Sequence, residues 1–195
     1  MQGWCDSDLT KQGQTDAITT GQKLKKILFT TAFSSDLRRA IDTRNLILNQ
    51  LDHQVSSIQE NKLFREVFFG YFEGLDSDET WTRVGQPHGY TGQEDIIRQK
   101  SLNEARRLMK LEDPSKSAET NDQVLNRWHE GLSFIHENTP DNSNVLLVTH
   151  GTFIRTLADD HDINTLGNYP ENGSITILKL TDAGTSIELY NQNSI

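Results

Sequence analysis

Cysteine is nearly absent from this 195-residue chain: Cys5 is the only one. A lone thiol excludes an intramolecular disulfide, a four-thiolate zinc site and a Cys-x-x-Cys redox pair, and it suits a reducing compartment. Long apolar runs are missing too, and the opening MQGWCDSDLT has neither a basic start nor an apolar core. The expectation is therefore a cytoplasmic protein with no signal peptide and no membrane partner. Positive charge is in deficit, with 19 Lys and Arg against 28 Asp and Glu and a formal net charge of −9. That balance disfavours a nucleic-acid partner, and an anionic substrate would need a local cluster of cations to draw it in. Neither Gly-x-Gly-x-x-Gly nor Gly-x-x-x-x-Gly-Lys-Ser/Thr occurs, which sets the common nucleotide loops aside.

What is present is an alternation of helical and strand patterns. Leu9, Ala17, Leu24, Ile27 and Leu28 recur at helical spacing behind Thr10, a capping residue. A short strand over 31–35 and a helix to about Leu51 follow, then a strand at 55–58 and the aromatic stretch KLFREVFFGYFEGL, read as a loop with a turn of helix. Gly85, Pro87, Gly89 and Gly92 mark 76–93 as a long irregular connection. Helices are predicted at about 94–111 and 120–138, a buried strand at 145–148, a helix at 152–159, and two terminal strands at about 174–181 and 186–191. Such alternation predicts an α/β fold, a three-layer α/β/α sandwich with a mostly parallel sheet. One domain spans 1–195, with a helical lid over 76–120.

In open α/β sheets the site lies outside the carboxyl ends of the strands. The residues there are Ser34, Ser35, Asp36 and Arg39 after one strand and Thr149, His150 and Gly151 after NVLLV. A histidine and an arginine at strand ends, with a carboxylate such as Glu66 nearby, suit phosphoryl chemistry, the cations holding the oxygens while the acid protonates the leaving group. Residue type alone leaves plainer readings open. His150 can simply cap the following helix, and Arg39 can form a surface ion pair with Asp36 or Asp42.

The segments QGWCDSDLTKQGQTDA, SSDLRRAIDT, REVFFGYFEG and LLVTHGTFIRTL, in this order, resemble the signature segments of the histidine phosphatase superfamily, the phosphoglycerate mutase-like proteins. The resemblance implies phosphomonoester chemistry through a phosphohistidine, on a small phosphorylated substrate, with no cofactor and no metal. It implies Arg39, Glu66 and His150 as catalytic residues, Glu66 being the acid near the leaving group. Gln2, Gly3, Arg39 and Thr152 would bind the substrate.

The family's nucleophilic Arg-His-Gly tripeptide does not occur in this chain. His53, His88, His129, His136 and His161 lie in no matching segment. A buried central strand with four apolar side chains would contribute roughly 6–12 kcal/mol, against whole-domain stabilities of about 5–15 kcal/mol. The expectation is a chain shown without its first strand and inactive as it stands, with a natural loss of the nucleophile as the alternative. GYFEGL follows Glu66 without an Asn-Lys pair, and Arg106-Arg107 precede no diproline, which favours phosphatase over mutase. A non-catalytic relative that binds a phosphorylated ligand is a further alternative.

Other groupings read as structure. His129 and His136 belong to a solvated helix face, and the acidic run around His161 points its side chains in different directions. Phe64, Phe68, Phe69, Tyr71 and Phe72 are expected to pack around Glu66. Trp81 and the His88 loop are candidate walls for a substrate.

Overall fold

The computed structural model describes residues 1–194. In chain order the first elements are α1 (Lys11–Leu24), β1 (Phe29–Ser34), α2 (Arg38–Leu48) and β2 (Ser57–Glu60). The middle of the chain forms α3 (Ser77–Gly85), α4 (Gln93–Gln99), α5 (Leu102–Glu112) and α6 (Asn121–Glu137). It closes with β3 (Asn144–Val148), α7 (Gly151–Asp160), β4 (Ile175–Thr181) and β5 (Gly184–Gln192).

The parallel sheet runs β2-β1-β3. Alternation along these strands sorts their side chains between two cores. Phe33, Val145 and Leu147 join Phe153, Leu157 and Trp128 on the α6–α7 side. Ala32, Leu146 and Val148 join Leu24, Ala40 and Ile47 on the α1–α2 side. Helices therefore cover both faces, giving the three-layer α/β/α sandwich. β4 and β5 form a separate antiparallel pair, and β3 pairs only with β1 among the described residues.

Several boundaries differ from those read in the sequence. The first helix begins as expected, Thr10 Oγ1 accepting from Gly13 N at 3.0 Å, but it stops at Leu24 and leaves Leu28 outside. β2 lies two residues beyond the predicted 55–58, because its ladder with β1 sets Ser57 opposite Thr31 and Glu60 opposite Ser34. A strand's extent is decided by its partner as much as by its own apolar residues. The largest correction is at 76–93, which contains a full helix instead of an irregular connection. Asp76 Oδ1 accepts from Asp78 N and Glu79 N, both at 3.0 Å, and starts α3. Trp81 and Val84 on that helix are buried in the core, so most of the Trp81 side chain serves packing. The single helix predicted over 94–111 is broken after Gln99, where Ser101 Oγ caps Glu104 N at 3.0 Å and starts α5. Ser101-x-x-Glu104 is a capping pattern that helical periodicity alone passes over.

The loop after α5 is pinned by Asp113, which is fully enclosed. Its carboxylate accepts from the amides of Tyr71, Ser115, Ser117 and Ala118 at 2.8–3.2 Å. Against the opposing effect of burial, the Ser115 hydroxyl and these amides hold its pKa down to about 2. Gly70 faces this carboxylate with φ +61°, and a Cβ there would overlap it.

Candidate active site

β1 and β3 run parallel, so the residues that follow them emerge at the same end of the sheet. Ser35 N donates to Val148 O at 3.0 Å and fixes the two exits side by side. After the apolar run of β3, Thr149 Oγ1 donates to Phe64 O at 2.8 Å, tethering the strand end to the loop that carries Glu66. His150 then occupies the cap position of α7 with extended backbone.

His150 does not cap α7 with its side chain. Glu66 does so: Oε2 accepts from Thr152 N at 2.9 Å, and Oε1 accepts from Phe153 N at 2.7 Å and from Val67 N at 2.9 Å. The helix N-terminus attracts an anion, and here the anion is this carboxylate. Burial pushes the Glu66 pKa up, while the Val67 and Thr152 amides and Arg106 oppose the shift. His150 is left with a buried Nε2 that has no hydrogen-bond partner. Burial drives its imidazole down to about 3, and Arg39 and Arg127 push in the same direction. A ring neutral at pH 7 can donate one hydrogen bond to a ligand oxygen.

Arg39 pairs with neither Asp36 nor Asp42. Its Nη1 donates to Cys5 O at 2.8 Å and to Asp6 Oδ1 at 3.2 Å, and its Nη2 donates to Gly3 O at 2.7 Å. Asp36 is held by Arg65 through two bonds of 2.7 and 2.6 Å, and Asp42 meets Arg38 at 3.7 Å. The carbonyls of Gln2 and Gly3 thus meet Arg39, while Gly3 N and Cys5 N donate to Glu73 Oε2 at 3.1 and 2.9 Å. Trp4 Nε1 donates to Glu66 O at 2.8 Å, and its ring packs against Phe68 and under Arg65.

The predicted residues therefore form two groups. Glu66, His150 and Thr152 gather at the start of α7, and Arg39 gathers Gln2 and Gly3. Trp4 and the charge that Arg39 exerts on His150 connect them. Phe64, Phe69 and Phe72 pack in the core as expected, whereas Tyr71 is exposed. His88 pairs with Glu112 at 2.9 Å. Among the described residues, no three His, Cys, Asp or Glu side chains form a group able to hold a metal ion, and no helix is long and apolar enough to cross a membrane.

Three contributors carried no readable sequence signal. Arg127 of α6 donates to the carbonyls of Leu63, Arg65 and Glu66 at 2.8–3.0 Å and pairs with Glu119 at 2.9 Å, so it shapes the loop that presents Glu66. Tyr169 Oη meets Thr152 Oγ1 at 2.8 Å. Arg106 of α5 donates to Thr156 Oγ1 at 2.6 Å and to Thr152 O at 3.5 Å. Helical spacing had placed both arginines on helices without saying what they would meet.

The family model for the histidine phosphatase superfamily, branch 1, matches residues 1–193. The chain belongs to this superfamily. One curated relative, the 2,3-bisphosphoglycerate-dependent phosphoglycerate mutase of Dichelobacter nodosus, is 43% identical over 86 residues, a match spanning 43% of this chain and 35% of that one. Over nearly the whole chain, the crystal structure of a phosphoglycerate mutase from Bacillus anthracis is similar at a TM-score of 0.87 and 33% identity, covering 98% of this chain and 85% of that one. A mycobacterial glucosyl-3-phosphoglycerate phosphatase shares the fold at a TM-score of 0.67 and 22% identity, covering 99% and 91%. Histidine phosphatase superfamily membership and the α/β sandwich thus agree with the four sequence segments.

Proposed function

We propose that this superfamily member is a phosphomonoesterase for a small phosphorylated metabolite, working through a phosphohistidine. The observation that carries the reading is the buried, unpartnered Nε2 of neutral His150 beside Arg39, at the same helix end as Glu66. Arg39 clamps the phosphoryl group and His150 donates to one of its oxygens. Glu66 protonates the leaving alcohol and then activates the water that hydrolyses the intermediate. Gln2, Gly3 and Thr152 contact the substrate, and the helices within 76–120 act as its lid.

The nucleophile belongs to an Arg-His-Gly segment, which this chain does not contain. In this reading a strand ending in that tripeptide lies along the open edge of β3, between it and the separate β4–β5 pair. Among the described residues β3 has no strand partner on its outer edge, which favours such an addition. The sequence after Glu66 favours phosphatase. The names of the Dichelobacter nodosus and Bacillus anthracis relatives keep phosphoryl transfer between metabolites as the second reading.

The test compares the 195-residue chain with one extended by an apolar strand ending in Arg-His-Gly. Extension is expected to raise the melting temperature and to create hydrolysis of p-nitrophenyl phosphate with an acid-labile phosphoenzyme. No change in either would sink the proposal. Phosphate binding without turnover in the extended chain would favour the non-catalytic alternative.

A further inference from the structure

Glu66 and Arg106 are opposite charges, both buried, that grip one residue from its two ends. Glu66 accepts from Thr152 N at 2.9 Å, and Arg106 Nη2 donates to Thr152 O at 3.5 Å and to Thr156 Oγ1 at 2.6 Å. Arg106 Nε and Nη1 have no partner. A guanidinium removed from water in this way needs a compensating charge nearby.

The surroundings leave few candidates for that charge. Arg127 of α6 is neutralised by Glu119 at 2.9 Å, and Arg155 of α7 by Glu94 at 2.7 Å. Tyr169, from the loop before β4, keeps its proton, its pKa pushed up to about 12 chiefly by burial. His150, at the cap of α7, is neutral. Among the described residues around Thr152, Arg106 is the cation without a bonded carboxylate; of the carboxylates without a bonded cation, Glu66 is buried and bonded to Thr152 itself, whereas Asp159, two turns further along α7, is half-buried and feels Arg155 ahead of Arg106.

We propose that Arg106 is a positioning residue that holds Glu66 as a carboxylate against the first turn of α7 in the resting site. The inference rests on Glu66 being the acid of the proposed reaction. Arg106 favours the ionised form from the α5 side, while the α7 amides favour it from the other. Burial already raises the Glu66 pKa with the amides in place, and substrate that draws Glu66 off them removes their opposition, so the carboxylate takes a proton from water and passes it to the leaving oxygen.

The test follows the Glu66 carboxyl carbon by NMR titration of the 195-residue chain, which requires no turnover. Arg106→Met is expected to raise the titration midpoint by about one to two pH units. Arg106→Lys restores it, whereas Thr156→Val lowers the melting temperature without moving it. An unmoved midpoint in folded Arg106→Met overturns the inference. If that variant does not fold, the Arg106 Nε–H signal of the unaltered chain is followed instead, and it must shift with the Glu66 midpoint; a flat signal overturns the inference. The reading of Glu66 as the acid fails separately, by full turnover of Glu66→Gln in the chain extended with Arg-His-Gly.

Discussion

His150 should make this protein acid-sensitive well above the range where carboxylates titrate. Its imidazole has a pKa of about 3 in the fold, against 6.5 for a free histidine. A depressed pKa means that the unfolded chain binds the proton first, so stability is intact above about pH 6.5 and is lost as the pH falls toward 3. Between pH 7.5 and pH 5 the loss from this one group is about 2 kcal/mol, or about 4–8 °C in melting temperature for a chain of this size. Asp113, with a pKa near 2, matters only as the pH approaches about 4, so the window stays clear of it. Glu66 acts in the opposite sense: its raised pKa contributes stability at low pH that is lost as the pH rises through its folded value. That contribution is common to both proteins in the comparison. Urea denaturation of the unaltered chain and of His150→Asn from pH 7.5 to pH 5 should show a steeper loss in the former. Equal slopes would refute the claim that His150 is buried neutral.

Asp113→Ala removes the acceptor of four backbone amides and should cost about 1–3 kcal/mol, checked by urea denaturation, because the buried Ala118 amide is left without a partner while water can reach those of Ser115 and Ser117. Gly151→Ala places a Cβ 2.9 Å from Tyr169 Oη, so it should break the contact of Tyr169 with Thr152. The fluorescence of the tyrosines reports that displacement. Glu66→Gln keeps the shape but weakens the cap of α7 and should destabilise the chain by about 1–2 kcal/mol, read as faster hydrogen exchange at the Thr152 and Phe153 amides.

Part of the site was legible because its residues are local to strand ends. His150 follows NVLLV directly, and Arg39 lies five residues beyond Ser34, so strand periodicity points to both. The family resemblance supplied Gln2, Gly3 and Thr152, which no spacing argument reached, and turned Glu66 from one candidate carboxylate into the expected acid. Cap chemistry was legible only in part: Thr10 was visible, while Asp76 opened a region rich in glycine and proline signals and Ser101 lay inside a continuous helical periodicity. What each charged group meets was not legible. Arg39 found Asp6 and three loop carbonyls instead of Asp36 or Asp42, because Asp36 is taken by Arg65 across the fold.

By itself, the sequence determined the order of helices and strands, the layered α/β class, the absence of an Arg-His-Gly segment and the positions from which His150, Arg39 and Glu66 depart. Periodicity and resemblance are properties of short windows, and these features are written in short windows. Tertiary structure alone decided that Glu66 caps α7, that Arg127 and Arg106 stand on two sides of it, and that His150 is buried neutral. Those outcomes depend on contacts spanning 46 to 87 residues, and on loss of water from groups whose neighbours no local pattern specifies.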